Sequence, residues 1–374
     1  MPAHVQRLTA AVLLVAALAG CGTRTNLKSR GGGGTEFTFR VSRGGTTTVT
    51  RADLKSAAQI MGDRVAKLGA TGKVTLRGSS EIVVRIDGLP PEPTGTIIAA
   101  TGELELYDLV PALVRPSVNA AHDSSTPYTS LFDLLSAVQS SIGAATPSGY
   151  VLFKPVKSGS RTAFVVARGG IGTGEAATRV PKGWKQLKIP PKTVIVTCDA
   201  ESASLCPAQD QGAVPPNGRE FYYLFKHGPF PGDQYATDGS YPNMTGTDLK
   251  LPSVRPDFDT NGQPIVLMSF TPHGNRAFKQ MTLNEATRGY LSGTGSTCAD
   301  TCSIAIVLDN RIRSFPTVDP TQNPQGIDPG GTGVEITFGN QSDSASQAKQ
   351  LTVVLQTGAL PVRFTLVSER TISG

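Results

Sequence analysis

The chain has 374 residues, of which 39% are hydrophobic and 17% are charged, with 41 Gly and 27 Pro. This length allows two or three compact domains with a sizeable buried core, and the composition is typical of a globular, strand-rich and loop-rich protein. The formal charge of +6 suits an anionic membrane surface as well as nucleic acid, but the chain has no dense Lys/Arg tract. We therefore expect solubility charge spread along the chain and no nucleic-acid partner.

Residues 1–20 have the pattern of a bacterial lipoprotein signal peptide. The apolar run Leu8–Ala19 is too short to span a bilayer alone. It ends in Leu18-Ala19-Gly20-Cys21, which matches the lipobox and predicts cleavage before Cys21 and transfer of a diacylglyceryl group, with palmitate-type chains, to its thiol. The alternative is an ordinary signal peptide followed by an incidental cysteine. Because two acyl chains suffice for stable anchoring, we expect a lipoprotein on the outer face of the cytoplasmic membrane.

Residues 21–35 are predicted to be a flexible tether. They contain three basic residues and a run of four glycines, and nothing in them can bury a core. A linker of this length spans roughly 20 Å on average. Since its basic residues favour anionic headgroups, we expect the folded part of the chain to stay close to the membrane surface.

Residues 36–110 alternate in the order β-α-β-β-α-β. This order predicts the antiparallel sheet of a ferredoxin-like domain, so the predicted fold class is α+β. Thr50 and Asp53 form a capping-box pattern, and Gly69 marks the end of the first helix. A second, short helix is predicted near residues 94–100. The four predicted strands are Glu36–Val41, Lys73–Leu76, Glu81–Ile86 and Glu103–Asp108.

Residues 111–240 carry the least informative pattern. Ser130 could cap a helix, and several short strands are predicted after it. The segment Gly172–Ala177 formally fits the dinucleotide fingerprint GxGxxA, but the residues that follow, which include Pro181, do not continue a helix. A phosphate would therefore find no helix N-terminus, and we predict a Gly-rich hairpin loop and no cofactor.

The aromatic run Phe221-Tyr222-Tyr223-Leu224-Phe225 allows two interpretations. One is an internal strand of a sheet. The other is an exposed edge or groove that receives an unfolded polypeptide by strand addition and apolar pockets. On the second interpretation, the candidate polypeptide-binding residues are Phe221, Tyr222, Tyr223, Phe225 and, in a later predicted helix, Phe278.

A second alternating unit begins at Pro264 with a short strand. Thr271 and Pro272 then open a helix in the cap and first-turn positions. A strand pair joined by a two-residue Asp309-Asn310 turn follows. The chain ends with a strand at Val334–Phe338, a helix capped by Ser342 and closed by Gly358, and a strand at Val362–Val367.

Four cysteines besides Cys21 remain, and an even number in an exported chain indicates disulfides. The preferred pairing among three possible connectivities is local, Cys198 with Cys206 and Cys298 with Cys302. A zinc site would need the two separated pairs to converge, and the three-residue spacing of the second pair differs from a thioredoxin-type motif. We expect no metal.

No motif in the sequence indicates catalysis. His122, His227 and His273 lie in no HExxH motif and beside no Ser or Cys nucleophile, and the chain has no GxSxG elbow. Glu103 and Glu105 alternate on one strand face, but such pairs are rarely catalytic. We expect no catalytic residue and treat His227 and His273 as surface residues.

Several short sequence motifs of the chain resemble those of the periplasmic region of SecD, the membrane subunit that assists protein export. The family words "AIVLDG", "VxSxP" and "TGALPVP" correspond to Ala305–Asn310, Ile312–Pro316 and Gln356–Val362. The word "RVNxLG" corresponds to Arg64–Gly69. Asn310 replaces a glycine, which a left-handed turn position tolerates, and Arg363 stands where proline is common.

The resemblance implies a base and a head. The base would combine residues 36–110 with residues 342–374, which makes it discontinuous in sequence. Residues 241–341 would form an α+β head subdomain, and residues 111–240 match the family poorly. In the family a transmembrane bundle follows these words, but no later stretch here reaches roughly 18 apolar residues, so we expect no proton coupling by this chain itself.

These features predict a membrane-anchored, non-catalytic protein that binds translocating or newly exported polypeptide and assists export. The membrane subunits of the Sec translocon are its expected partners. The alternative is an envelope structural or assembly lipoprotein that reuses the fold to bind folded proteins, because a fold does not fix a function. The two differ in whether residues 221–225 and the loop after them are exposed and mobile, as polypeptide binding predicts, or packed, as a structural role predicts.

Overall fold

The structure is a computed structural model that describes residues 33–42, 49–88, 90, 94–115, 128–143, 145–158, 161–173, 180–199, 206–207, 212–213, 219–227, 242–292, 298, 301–330, 333–338 and 344–372. The predicted signal peptide and Cys21, His122, Ser342 and most of the GxGxxA segment lie outside the described residues.

The protein has the predicted α+β fold, with antiparallel pairing in its four described sheets except for one parallel contact. Its α-helices in the described ranges are α1 Arg51–Lys67, α2 Thr94–Ala99, α3 Leu109–Ala112, α4 Leu131–Ile142, α5 Pro272–Leu291 and α6 Ser344–Thr357. Its strands are β1 Gly34–Val41, β2 Gly72–Arg77, β3 Glu81–Asp87, β4 Leu104–Asp108, β5 Gly149–Ser158, β6 Arg161–Thr173, β7 Lys185–Ile189, β8 Thr193–Asp199, β9 Glu220–Lys226, β10 Met244–Thr245, β11 Arg255–Phe258, β12 Pro264–Met268, β13 Ile304–Leu308, β14 Arg311–Ser314, β15 Val334–Thr337 and β16 Phe364–Ile372.

The first sheet has the strand order β16-β1-β3-β2, which is the order of a ferredoxin-like sheet with β16 as its fourth strand. β1 and β2 are parallel to each other, with α1 crossing between them and β3 paired antiparallel to both. Thr50 and Asp53 form the predicted capping box of α1, and Gly69 has a φ of +80° just past its end. The core under this sheet includes Phe37 and Phe39.

The prediction that the strand near 103–108 completes this sheet is wrong. That strand, β4, lies in a six-stranded sheet of order β10-β4-β13-β14-β8-β9. All five of its residues are buried, with Leu104 and Leu106 in one core and Tyr107 in another. A strand buried on both faces suits the interior of the larger sheet, whereas the first sheet covers only one of its faces with helices.

The six-stranded sheet curls so that its two ends approach each other. Tyr107 of β4 and Phe225 of β9 are separated by three intervening strands, yet their ring centroids are 5.1 Å apart. An isolated bridge between Leu113 and Phe225 adds to this contact. The concave side therefore encloses an apolar core of its own, lined by residues such as Val196 and Val307.

The convex side of the same sheet packs against α5, α6 and the three-stranded sheet β11-β12-β15. Thr271 caps α5 by accepting from the Gly274 amide, and Pro272 occupies the first turn, as predicted. Phe278 and Met281 of α5 lie in this core beside Leu106 and Ile306.

The remaining sheet, of order β6-β5-β7, lies in the part of the chain with the least informative pattern. Val151 and Phe153 of β5 share a core with α4, where Phe132 makes an edge contact with Phe153 at 5.2 Å between centroids. The side-chain amide of Gln139 on α4 exchanges two hydrogen bonds with the backbone of Lys188, which covers the free edge of β7.

A fully buried arginine links three helices. The guanidinium of Arg64 on α1 donates to the carbonyls of Ile97 and Ile98 on α2, at 3.3 and 3.1 Å, and to that of Ala100. It also donates to the Gly358 carbonyl just past α6, at 2.9 Å, and to the Thr357 hydroxyl at 3.0 Å. The pKa of Arg64 is lowered to about 10 by burial, so the side chain is still charged at neutral pH.

Both local disulfides are present, Cys198–Cys206 and Cys298–Cys302. All four cysteines are buried. The first joins β8 to the segment that follows it, and the second lies beside Gly289 of α5.

Candidate functional site

The aromatic run of β9 is packed, and this overturns its use as an exposed groove. Phe221, Tyr223 and Phe225 lie in the concave core of the curled sheet, and Tyr222 is half-buried on the opposite side against α4. β9 is an edge strand, but a bridge from Ala213 pairs with Tyr222 along that edge. Phe278, the fifth candidate, is 3% exposed in the convex core. These five side chains stabilise the fold and offer an incoming polypeptide little surface.

A polar cluster lies at the mouth of the concave core, and the sequence had not singled it out as one site. Glu105 is 3% exposed; one of its carboxylate oxygens is 3.1 Å from Nδ1 of His227, and the other accepts from the Tyr107 hydroxyl at 2.9 Å. Glu103, directly before β4, accepts a hydrogen bond from Arg363 at 2.9 Å. His227 comes directly after β9, so the curl of the sheet creates the cluster.

Burial and neighbouring charge shift the pKa of two groups here. The pKa of Tyr107 is well above its usual value because the ring is buried and the Glu105 carboxylate is beside it. The pKa of His227 is raised chiefly by its hydrogen bond to Glu105. His227 is thus a half-buried partner of a buried carboxylate, whereas the sequence predicted a surface residue.

Glu103, Glu105 and His227 could also hold a divalent metal ion. Each offers one ligand atom, and these atoms lie within 4.8 Å of one another. Carboxylate and imidazole are suitable ligands for zinc or manganese. An ion would, however, have to displace the Glu105–His227 hydrogen bond and approach the cationic Arg363. The three side chains are therefore better described as ion-paired residues that link the β4 end of the sheet to the end of β9.

Replacing His227 with glutamine should reduce stability in a pH-dependent way. The folded pKa of His227 lies above its unfolded value, so its contribution is fully present below about pH 6.5 and is lost as the pH rises through the folded pKa. Urea unfolding of both chains at about pH 5.5 and about pH 8.5 would measure this. The stability difference should be larger at the lower pH; an equal difference at both would contradict the ion pair.

A second polar cluster is buried between α5 and the end of β4. Asp108 pairs with Arg288 on α5, and burial raises the pKa of Asp108 although Arg288 opposes this. Glu285, one turn before Arg288, is completely buried, and neither carboxylate oxygen has a hydrogen-bond partner among the described residues. Burial and the nearby Asp108 hold the pKa of Glu285 well above its usual value. The spacing of Phe278, Met281 and Glu285 on one helical face could have revealed this inward position.

The third histidine is also paired. Nδ1 of His273, in the first turn of α5, lies 2.6 Å from a carboxylate oxygen of Asp248. Asp248 is buried and caps the preceding short turn by accepting from the Thr245 amide. This contact fixes the start of α5 against the β10 end of the sheet.

Exposed apolar side chains occur at two places near α5 and β11. Tyr290 and Leu291, the last residues of α5, are 80% and 76% exposed, and Phe258 at the end of β11 is 65% exposed. Single exposed apolar residues are ordinary, but an adjacent exposed pair is available for contact with another chain. Within the described ranges, no helix combines the length and apolar character needed to cross a membrane.

Fold and site together define an α+β protein with a ferredoxin-like sheet, a curled second sheet and no assembled catalytic constellation among the described residues. Comparison with known families then gives one match. Residues 228–362 match the family described as SecDF, P1 head subdomain. This match, about a third of the chain, supports the predicted SecD resemblance for the head.

Curated relatives give the same family name. The chain is 35% identical over 131 residues to the protein translocase subunit SecD of Rhodobacter capsulatus, covering 35% of this chain and 19% of that protein. It is 26% identical over 341 residues to SecD of Rhodothermus marinus, covering 84% of this chain and 46% of that protein. The chain therefore spans less than half the length of these relatives.

Two solved structures of SecDF align with most of this chain at low similarity. A crystal structure of SecDF in the super-membrane-facing form covers 91% of this chain and 30% of that chain, with a TM-score of 0.45 and 18% identity. A structure of SecDF, described as a membrane component that enhances protein export, covers 90% of this chain and all of that chain, with a TM-score of 0.41 and 18% identity.

Proposed function

We propose that this chain is an extracytoplasmic accessory of the Sec translocon that contacts polypeptide during or after export. The observation that carries the proposal is the match of residues 228–362 to the P1 head subdomain of SecDF. The alignment with a SecD subunit over 84% of the chain supports it. Lipid attachment at Cys21 would hold the folded part at the outer face of the cytoplasmic membrane, and the proposal includes no catalytic step and no proton coupling.

The packed aromatic run is the outcome that the structural alternative predicts, so a surface that contacts polypeptide would have to lie elsewhere, and we place it in the head. Tyr290 and Leu291 project from the end of α5, and Phe258 projects from β11, all within the matched segment. An unfolded polypeptide exposes apolar side chains that such residues can contact without covalent chemistry. α5 itself is anchored on both sides, by the Asp108–Arg288 pair and by the His273–Asp248 contact, so its exposed end is held in a defined position.

In-cell photo-crosslinking from Tyr290 and Phe258 tests this proposal. We expect crosslinks to a precursor arrested in transit or to the translocon channel from both positions. The matched control is Lys73, an exposed residue of β2 in the ferredoxin-like sheet, which should give none. Crosslinks only to folded envelope proteins would support the alternative structural role, and equal labelling from Lys73 would refute a specific contact surface.

A further inference from the structure

The segment 149–189, which contains the three-stranded sheet β5–β7, has a basic excess that the rest of the chain lacks. Residues 149–189 contain eight Lys and Arg residues and one acidic residue, a formal charge of +7, whereas the whole chain has +6. The remainder of the chain therefore has a formal charge of −1. The expectation of charge spread along the chain is wrong, because its positive excess falls within residues 149–189.

The lysines of these strands whose side chains the structure describes are exposed and form no ion pair with another described residue. The side chains of Lys154, Lys157, Lys185 and Lys188 are all exposed, and no ion pair in the described part of the chain involves a residue of 149–189. The ferredoxin-like sheet differs, because Arg85 and Arg370 there both pair with Glu36. A positive surface without internal partners attracts an external anion.

One face of the sheet combines two of these lysines, Lys154 and Lys188, with apolar side chains. Val151 and Phe153 point into the core under α4, so the residues that alternate with them lie on the opposite face. Cross-strand register places Lys188 beside Tyr150 and Val165 beside Lys154 on that face. Tyr150 and Leu152 are half-buried and Val165 is 40% exposed, so the face is open.

We propose that this open face binds the surface of a membrane that contains anionic phospholipids. Anionic headgroups would neutralise the lysines, while tyrosine and aliphatic side chains suit the boundary between headgroups and acyl chains. An acidic polypeptide would satisfy the lysines but leave the apolar side chains of the face unused. The predicted anchor, with a tether of roughly 20 Å, would keep the sheet within reach of the bilayer. The proposal does not depend on the export function.

Vesicle binding measured through Trp184 tests the proposal. Trp184 is the single tryptophan of the chain and lies half-buried just before β7, so its emission should shift to the blue when the sheet meets lipid. The sample is a chain of residues 21–374 with Cys21→Ser, which carries no lipid and keeps every described residue. We expect binding to vesicles with about one-third phosphatidylglycerol at roughly 0.1 M salt, and none to phosphatidylcholine alone.

Matched lysine variants distinguish a specific effect of the lysines on this face from a general effect of lowering the net charge. Each lysine near an anionic surface strengthens binding about fivefold, so replacing the two lysines of this face together, Lys154→Gln and Lys188→Gln, should weaken it by roughly 25-fold. The control replaces two exposed lysines elsewhere, Lys55 and Lys73, and should retain most of the affinity. Equal losses in both variants, or no binding by the unmodified chain, would overturn the proposal. Binding to polyglutamate but not to vesicles would assign the face to an acidic polypeptide instead.

Discussion

Replacing Arg64 with methionine should lower the free energy of unfolding by about 4 kcal/mol, because it removes the donors of a buried network and leaves helix-end carbonyls without partners. The carbonyls of Ile97, Ile98 and Ala100 at the end of α2, and that of Gly358 past α6, all accept from this guanidinium. The ends of helices carry unpaired carbonyls and a partial negative charge, which a buried cation stabilises. Urea unfolding at neutral pH would measure the change.

Two further variants test whether geometry or charge is responsible. Arg64→Lys keeps the charge but presents a single ammonium in place of a planar fork, so it should recover only a minor part of the loss. Gly102→Ala adds a Cβ that would lie 2.9 Å from Nη2 of Arg64, at a backbone φ of +77°, and should also destabilise. The control is Arg51→Met at an exposed position of the same helix, which should change stability little. A loss of less than about 1 kcal/mol for Arg64→Met would contradict the proposed role of this network.

The sequence predicted local features well, because each depends on a few neighbouring residues. The capping box at Thr50 and the hairpin turn at Asp309-Asn310 are both present, and the two turn residues have φ values of 54° and 62°. The SecD-like words also have a physical explanation. Arg64, from one word, donates to the carbonyl of Gly358, from another. The two SecD-like motifs, far apart in the sequence, therefore supply the donor and one acceptor of the same buried hydrogen-bond network.

Features that depend on distant strands could not be predicted in this way. The sequence predicted β4 as the fourth strand of the first unit because strands that are neighbours in sequence usually pair. Both faces of β4 are buried, however, and this requires the interior of the larger sheet. An aromatic run such as that of β9 shows the same sequence pattern of consecutive apolar residues whether the strand is exposed or is buried on both faces. Its burial, and the cluster of Glu105 with His227, both result from the curl of the sheet, for which local periodicity carries no signal.

Glu285 should make the protein less stable as the pH rises above the unfolded pKa of a glutamate. Its folded pKa is well above 4.5, because the side chain is fully buried, lacks a hydrogen-bond partner among the described residues and lies near Asp108. The folded state therefore binds this proton more tightly than the unfolded state. The contribution of protonated Glu285 to the free energy of unfolding is fully present below about pH 4.5. As the pH rises from there to the folded pKa, the free energy of unfolding falls by up to about 1.4 kcal/mol per pH unit.

Substitution of Glu285 should remove this dependence of the free energy of unfolding on pH. It should also stabilise the protein, whereas most substitutions in a core destabilise it. Glu285→Met fills a similar volume without a carboxylate, and replacing a buried charged group with an apolar one is often stabilising by about 1–4 kcal/mol. We expect the methionine variant to be more stable than the unmodified chain at about pH 8 and the advantage to shrink toward about pH 5 in urea unfolding. Exposed Glu335→Met is the matched control, with no such pH-dependent gain. Since the His227 contribution is common to all three chains, the difference between them isolates Glu285; a difference that does not vary with pH would show that this carboxyl titrates normally.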